Sequence, residues 1–345
     1  MCGPFLFQKR KKEYARCYIL KKQVSVLAWG MALIMGLSAC HGNTKKSNEK
    51  KLKIVTTIFP EYDWVVNVLG DKKDDAEITM LLDTGVDLHS YQPTAEDILK
   101  ISTCDLFIYV GGESDEWVED ALKNATNKDM VTINLLEALG DKVKEEELVE
   151  GMEGEEEEEG EEGEEEPEYD EHVWLSLKNA SYLVGTIEEA VAKIDKENAD
   201  TYKKNAESYQ QKLSELDKKY EEAVNAASVK TLLFGDRFPF RYMVDDYGLS
   251  YFAAFVGCSA ETEASFETIA FLSAKVDELS LHAIMTIEGK DHKIADTIVG
   301  NTKSKDQKVL SMDSMQSVTG KDVKSGTTYL AIMEKNLDVL TEALK

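Results

Sequence analysis

The chain has 345 residues, enough for two domains of ordinary size. It carries 66 Asp and Glu against 40 Lys and Arg, a formal net charge of −26. That excess repels a phosphate backbone and leaves no basic patch beyond the first residues, which argues against nucleic-acid binding and favours cations as partners.

The N-terminal stretch "KKQVSVLAWGMALIMGLSAC" sets Lys21 and Lys22 before an apolar run from Val24 to Ala39. A charged segment, an apolar segment and small residues before Cys40 read as a secretory leader over residues 1–39. It is too short and one-sided to be taken first as a spanning helix. The tail "LSAC" resembles a bacterial lipobox, which implies that Cys40 is lipidated and begins a mature chain anchored on the outer side of the cell membrane. A true membrane anchor or a plain signal peptide is the alternative. Residues 40–50 are polar and aperiodic and suit a tether. Cleavage leaves Cys40, Cys104 and Cys258, so a disulfide framework is not expected once Cys40 is acylated. Cys104 and Cys258 both lie in core-like sequence and read as small buried apolar residues.

From Lys51 the chain alternates. "LKIVTTIF" reads as a strand, "EYDWVVNVLG" as a helix ending in Gly70, and "AEITMLL" as a second strand followed by a loop that holds His89. The next helix is capped by Thr94, with Asp97 three residues on. "DLFIYVGG", "ESDEWVEDALKNA" and "MVTINLL" continue as strand, helix, strand. Apolar strands without polar alternation, separated by helices, predict parallel sheets covered on both faces.

Residues 145–171 are a Glu-rich tract in which 18 positions are acidic. Such a density of like charge is expected to stay unpacked, either gathering cations or acting as a solvated spacer. After it, no Gly or Pro interrupts Lys196 to Ala227. Ala199, Tyr202, Ala206, Tyr209 and Leu213 fall on one stripe, and the spacing predicts a single rigid helix of roughly 45 Å. Beyond residue 229 the βα alternation resumes: "VKTLLFG", "LSYFAAFVG", "LHAIMTIEG" and "KVLSMD" read as strands with helices between and after them. The expected architecture is α/β, with an N-terminal lobe at 51–178, a linking helical region at 179–228 and a C-terminal lobe at 229–345.

The chain has five histidines. Ligands in open α/β sheets bind beyond the carboxyl ends of strands, and His89 lies just past a strand. His172 follows the Glu-rich tract, and Asp313 ends the strand "KVLSMD". Imidazole with carboxylate suits zinc or manganese. His41 falls in the tether, His282 reads as a packing or surface residue and His292 as solvent-facing at a helix start. Trp64, Trp117 and Trp174 sit in apolar-periodic segments and read as core.

"GVDLHSYQPTAEDI", "DEHVWLSLKNA", "SAETEASFETI" and "YLAIMEKNLDVL" together resemble the metal-binding solute receptors of zinc and manganese ABC importers, the cluster A-I periplasmic-binding-protein-like family. The likeness runs over nearly the whole mature chain. It implies two lobes joined by a long backbone helix, a lipid-anchored monomer that is not an enzyme, and delivery of a captured Zn²⁺ or Mn²⁺ to an ABC permease and its ATPase. It also implies His89 and His172 as the first two ligands, with Asp313 where the family has an Asp-Pro-Leu motif; here Ser314 and Met315 replace Pro and Leu. Counted back from Tyr247 and Gly248, the third ligand position holds Arg237, which has no lone pair to donate. Either Asp236 substitutes, or the site has three protein ligands, or it borrows Glu261, Glu263 or Glu288. Arg237 would then pair with Glu261 or Glu263 and close the lobes. Other readings are the same scaffold retuned to another cation or solute, surface adhesion, and a metallohydrolase, for which no H-E-x-x-H or similar motif is present.

Overall fold

The apolar runs form two four-stranded sheets, each parallel throughout. The first holds β1 (Leu52–Thr56), β2 (Ala76–Met80), β3 (Leu106–Tyr109) and β4 (Val131–Asn134) in the order β2-β1-β3-β4. The second holds β5 (Thr231–Phe238), β6 (Ser250–Val256), β7 (Ala283–Ile287) and β8 (Lys308–Met312) in the order β6-β5-β7-β8. The computed structural model describes residues 51–153, 168–259, 263–289 and 291–345; the leader, Cys40 and the tether lie outside them. Among the described residues no helix is long and apolar enough to cross a membrane.

Helices flank the sheets as the alternation requires. In the first half they are α1 (Phe59–Leu69), α2 (Ala95–Thr103), α3 (Trp117–Lys123) and α4 (Leu135–Leu139). In the second they are α7 (Arg241–Tyr247), α8 (Phe266–Leu279), α9 (Lys293–Asn301), α10 (Gly320–Lys324) and α11 (Tyr329–Ala343). Thr94 and Asp97 cap α2 reciprocally. The linking region holds two helices, the second of which is the expected long rod. α5 (Leu177–Ile194) stops at Asp195, a turn follows, and α6 runs from Ala199 to Ala226. Its 28 residues make a rod of about 42 Å. The Asp195 carboxylate binds the Asn198 amide and the Tyr202 hydroxyl one turn into the helix.

α6 ties the two halves together through its buried stripe. Tyr209 donates to Asp63 of α1 at 3.0 Å, and Tyr220 donates to the Met333 carbonyl of α11 at 2.6 Å. α1 and α11 also meet directly, Trp64 against Tyr329 edge-on at 5.4 Å. One apolar core therefore runs from Ile54 and Phe107 of the first sheet to Phe234 and Met285 of the second, with a smaller cluster around Leu233, Phe255 and Ile284. Trp64 and Trp174 are core as expected, fully buried, and Trp117 is partly so.

The Glu-rich tract departs from expectation at both ends. Residues 145–153 and 168–171 are packed: Glu145 bridges Tyr169, Glu153 pairs with Phe255 of β6, and Val149 and Met152 lean on the core. The apolar residues interleaved with the glutamates supply the burial that the charge count hid; residues 154–167 lie outside the described set.

Glu61 is fully buried at the start of α1, where its carboxyl accepts the backbone N–H groups of Thr57 at 2.8 Å and Ile58 at 3.3 Å. Burial, and then the charge of Asp115, push its pKa up from 4.5 to about 8. A group that holds its proton more tightly when folded contributes stability in full below pH 4.5, and that contribution is lost as pH rises through 8. The urea midpoint of Glu61→Gln, which keeps an oxygen acceptor but cannot ionise, is expected to fall less steeply between about pH 5 and pH 9 than that of the wild type. Parallel slopes would contradict this.

Candidate metal centre

His89 sits in a single 3-10 turn, Leu88–Ser90, beyond β2, the edge strand of the first sheet. Asp87 caps that turn, its Oδ1 accepting the His89 backbone N–H at 3.1 Å. His172 opens a second turn, Val173–Leu175, and Asp170 Oδ1 accepts its N–H at 2.8 Å. In both places an aspartate two residues upstream folds the backbone locally, so each ring leaves a fixed turn. The rings meet with Nε2 atoms 3.3 Å apart. His172 is 0% exposed and His89 is 11% exposed, so only one side of the pair is open to solvent.

Each outward nitrogen faces oxygen. His172 Nδ1 lies 3.1 Å from Asp170 Oδ1; His89 Nδ1 lies 2.7 Å from Ser114 Oγ and 3.5 Å from Glu171 Oε2. That Glu171 oxygen is buried with no hydrogen-bond partner among the described residues, while Oε1 accepts the Ser114 backbone N–H at 2.9 Å. Burial pushes Glu171 up to about 7, against the pull of the Ser114 hydrogen bonds. Burial, and then the charge of His172, push His89 down to about 3, so its ring is neutral at ordinary pH. With the outward nitrogens carrying the hydrogens, both Nε2 lone pairs converge on one point. A tetrahedral zinc ion, at about 2.0–2.1 Å from each nitrogen, sets two nitrogens about 3.3–3.4 Å apart. The observed gap matches.

A third side chain that could donate comes from the second sheet. Cys258 lies two residues past β6, and one donor atom each from His89, His172 and Cys258 lie within 4.8 Å of one another. Among the described residues no other group of His, Cys, Asp or Glu side chains meets that test. Cys104 does pack as a small buried residue, against Met130 Sδ at 3.3 Å. Cys258 does not, and the apolar run Tyr251–Val256 before it concealed this. The signal available was its position beyond a strand's carboxyl end, the same rule that pointed to His89.

The family model described as zinc-uptake complex component A, periplasmic (ZnuA), matches residues 54–343. The chain belongs to this family. It is 32% identical over 321 residues to the zinc-binding lipoprotein AdcA of Streptococcus pneumoniae, covering 93% of this chain and 61% of that protein. It is 30% identical over 318 residues to the high-affinity zinc uptake system protein ZnuA of Bacillus subtilis, covering 91% of this chain and 95% of that protein. The crystal structure of the Zn(II)-bound ZnuA-like domain of S. pneumoniae AdcA superposes with a TM-score of 0.66 at 30% identity, over 85% of this chain and 99% of that one. The chain spans about three-fifths of the length of the AdcA proteins it matches.

The other residues expected at the family site are engaged elsewhere. Asp313 is not gathered with the imidazoles. Asn336 clamps its backbone on both sides (2.9 and 2.8 Å), its Oδ1 accepts the Met315 N–H at 2.8 Å, and burial followed by Glu288 pushes it up to about 6. Asp236 is also outside the cluster. It sits in the bulge where β5 and β6 shift register, its two oxygens accepting the N–H groups of Arg237 and Ile287 at 2.9 and 3.3 Å. Glu288 organises the loop after β8 by accepting from the Ser314 N–H and hydroxyl.

Arg237 leaves the same bulge and pairs with Asp87, not with Glu263; Glu261 lies outside the described residues. Burial pushes the Asp87 carboxyl up, but the Arg237 charge and hydrogen bond override it and hold it below the usual carboxylate range. The expected bridge between lobes is therefore present with a different carboxylate, the one that also caps the His89 turn.

His282 is a packing residue, its Nε2 held 2.9 Å from the Glu342 carbonyl. His292 is not the solvent-facing residue expected. Its Nδ1 is buried without a hydrogen-bond partner among the described residues, and the ring lines a cavity of about 440 Å³ beside the site with Asp87, Asp236, Arg237 and Glu263.

Behind His172 there is little slack. A Cβ on Gly257 would lie 3.0 Å from both His172 Cε1 and the Phe238 carbonyl oxygen. Gly257→Ala is expected to displace the ring and weaken zinc binding by about tenfold or more, the size of effect that outer-shell changes produce. Chelator competition measures it, and an unaltered affinity would show that the ring has room to give.

Proposed function

We propose that the protein captures one zinc ion outside the cytoplasmic membrane and delivers it to an ABC permease and its ATPase, held to the membrane surface through a lipid on Cys40. It acts as a binding protein, not a catalyst, and as a monomer. The observation that carries this reading is the 3.3 Å approach of His89 Nε2 to His172 Nε2 with both outward nitrogens on oxygen acceptors. Two neutral imidazoles turned lone pair to lone pair repel each other unless a cation sits between them. The names of the relatives, zinc-binding and zinc-uptake proteins, point the same way.

Zinc is favoured over manganese because the ligand balance has moved away from oxygen. Manganese is suited by carboxylate and water, zinc by imidazole, and the aspartates that would have supplied the oxygen share are tied to backbone N–H groups. Capture is compatible with release because His89 stands on an exposed-side turn at the cavity while His172 is rooted in the core. The Arg237–Asp87 pair holds the second lobe against that turn. Its side chains are 18% and 23% exposed, and partly solvated pairs of this kind contribute on the order of 1 kcal/mol or less, little enough for docking to a permease to undo.

Titration of the metal-free chain with zinc against a competing chelator is expected to show one tight equivalent. His89→Ala and His172→Ala should each weaken it by about a hundredfold or more, beyond the range of outer-shell changes. Binding left intact in either variant would remove the basis of the receptor reading.

A further inference from the structure

We infer that Cys258 is the third ligand of the bound ion, so that this chain holds zinc through two imidazoles and one thiolate and discriminates against manganese by its sulfur. The inference rests on the receptor reading and adds to it the donor that the Arg237 position cannot supply. Three observations carry it. First, Sγ and one ring nitrogen of each histidine already lie within 4.8 Å of one another, whereas a tetrahedral zinc ion needs sulfur and nitrogen about 3.6 Å apart at Zn–S of about 2.3 Å. A small movement of one side chain closes the site. Second, Cys258 stands beyond the carboxyl end of β6, so the ion would be gripped from both sheets, with His89 beyond the edge strand of one and Cys258 beyond the edge strand of the other. Third, Arg237, which stands at the expected third-ligand position, has no lone pair to donate and is paired with Asp87, so the second sheet's donor has to come from another residue.

When the ion binds, the S–H bond breaks, the proton leaves to solvent, and the freed electron pair forms the Zn–S bond. Three protein donors leave one tetrahedral position for water, which keeps the ion exchangeable. Soft sulfur selects zinc against manganese, which prefers oxygen.

The test uses the full chain, reduced and metal-free, loaded with cobalt(II) as a spectroscopic stand-in and with zinc(II) and manganese(II) in competition. The wild type is expected to show thiolate-to-cobalt charge-transfer absorption that Cys104→Ser retains and Cys258→Ser loses. Cys258→Ser should also bind zinc about 10–100-fold more weakly and show a narrower preference for zinc over manganese. Cys258→His restores a nitrogen donor and should recover zinc binding without the charge-transfer band, which separates lost coordination from a misfolded loop. If the wild type binds one cobalt with no such band, and Cys258→Ser matches its zinc affinity, the thiolate ligand is overturned while the receptor reading stands. If the wild type binds neither metal, the receptor reading falls and takes this inference with it.

Discussion

The close approach of two imidazole nitrogens, His89 to His172, is the constraint on which the rest of the arrangement depends. Left alone, two neutral rings 3.3 Å apart would rotate so that one donated to the other. Here the outward nitrogens are occupied by Asp170, Ser114 and Glu171, and each ring is rooted in a turn pinned by its own upstream aspartate. With both Nδ1 atoms carrying the hydrogens, the two Nε2 lone pairs would face each other, a contact that a cation between them would relieve. Trp174 packs tilted against His172, ring centroids 5.2 Å apart, and is itself locked: its indole N–H donates to the Ser314 carbonyl and its own carbonyl accepts from the Tyr329 hydroxyl. The buried half of the pair is therefore referenced to the second lobe as well as the first.

That frame limits how the halves can move. A hinge between free lobes would need an interface of side chains that separate cleanly, but Tyr209, Tyr220 and the Trp64–Tyr329 contact fasten α1, α6 and α11 into one body. Residues 51–345 accordingly behave as a single compact unit.

Much of this was legible in the residues. Apolar strands without alternation gave two parallel sheets because only burial on both faces tolerates them. The strand-end rule selected His89, and the motif around it fixed the family. Other features were hidden for local reasons. Asp313 and Asp236 have the right chemistry at strand ends, but nothing in a one-dimensional pattern shows that their oxygens also accept backbone N–H groups in a tight loop and a β-bulge. Cys258 was masked by six apolar neighbours that made burial the simpler reading. The long helix after Asp195 was legible in its uninterrupted Lys196–Ala227 run and stripe, and the structure starts it three residues later, at Ala199. The packed ends of the Glu-rich tract were hidden by charge, although Val149 and Met152 are apolar and do the anchoring.

The most direct measurement of the central claim is X-ray absorption at the zinc edge on the chain loaded with one equivalent of zinc. Two imidazole nitrogens shared by one ion predict a first shell near 2.0–2.1 Å with the multiple-scattering pattern of two histidine rings. A shell built of oxygen, without that pattern, would mean that the converging rings do not hold the metal.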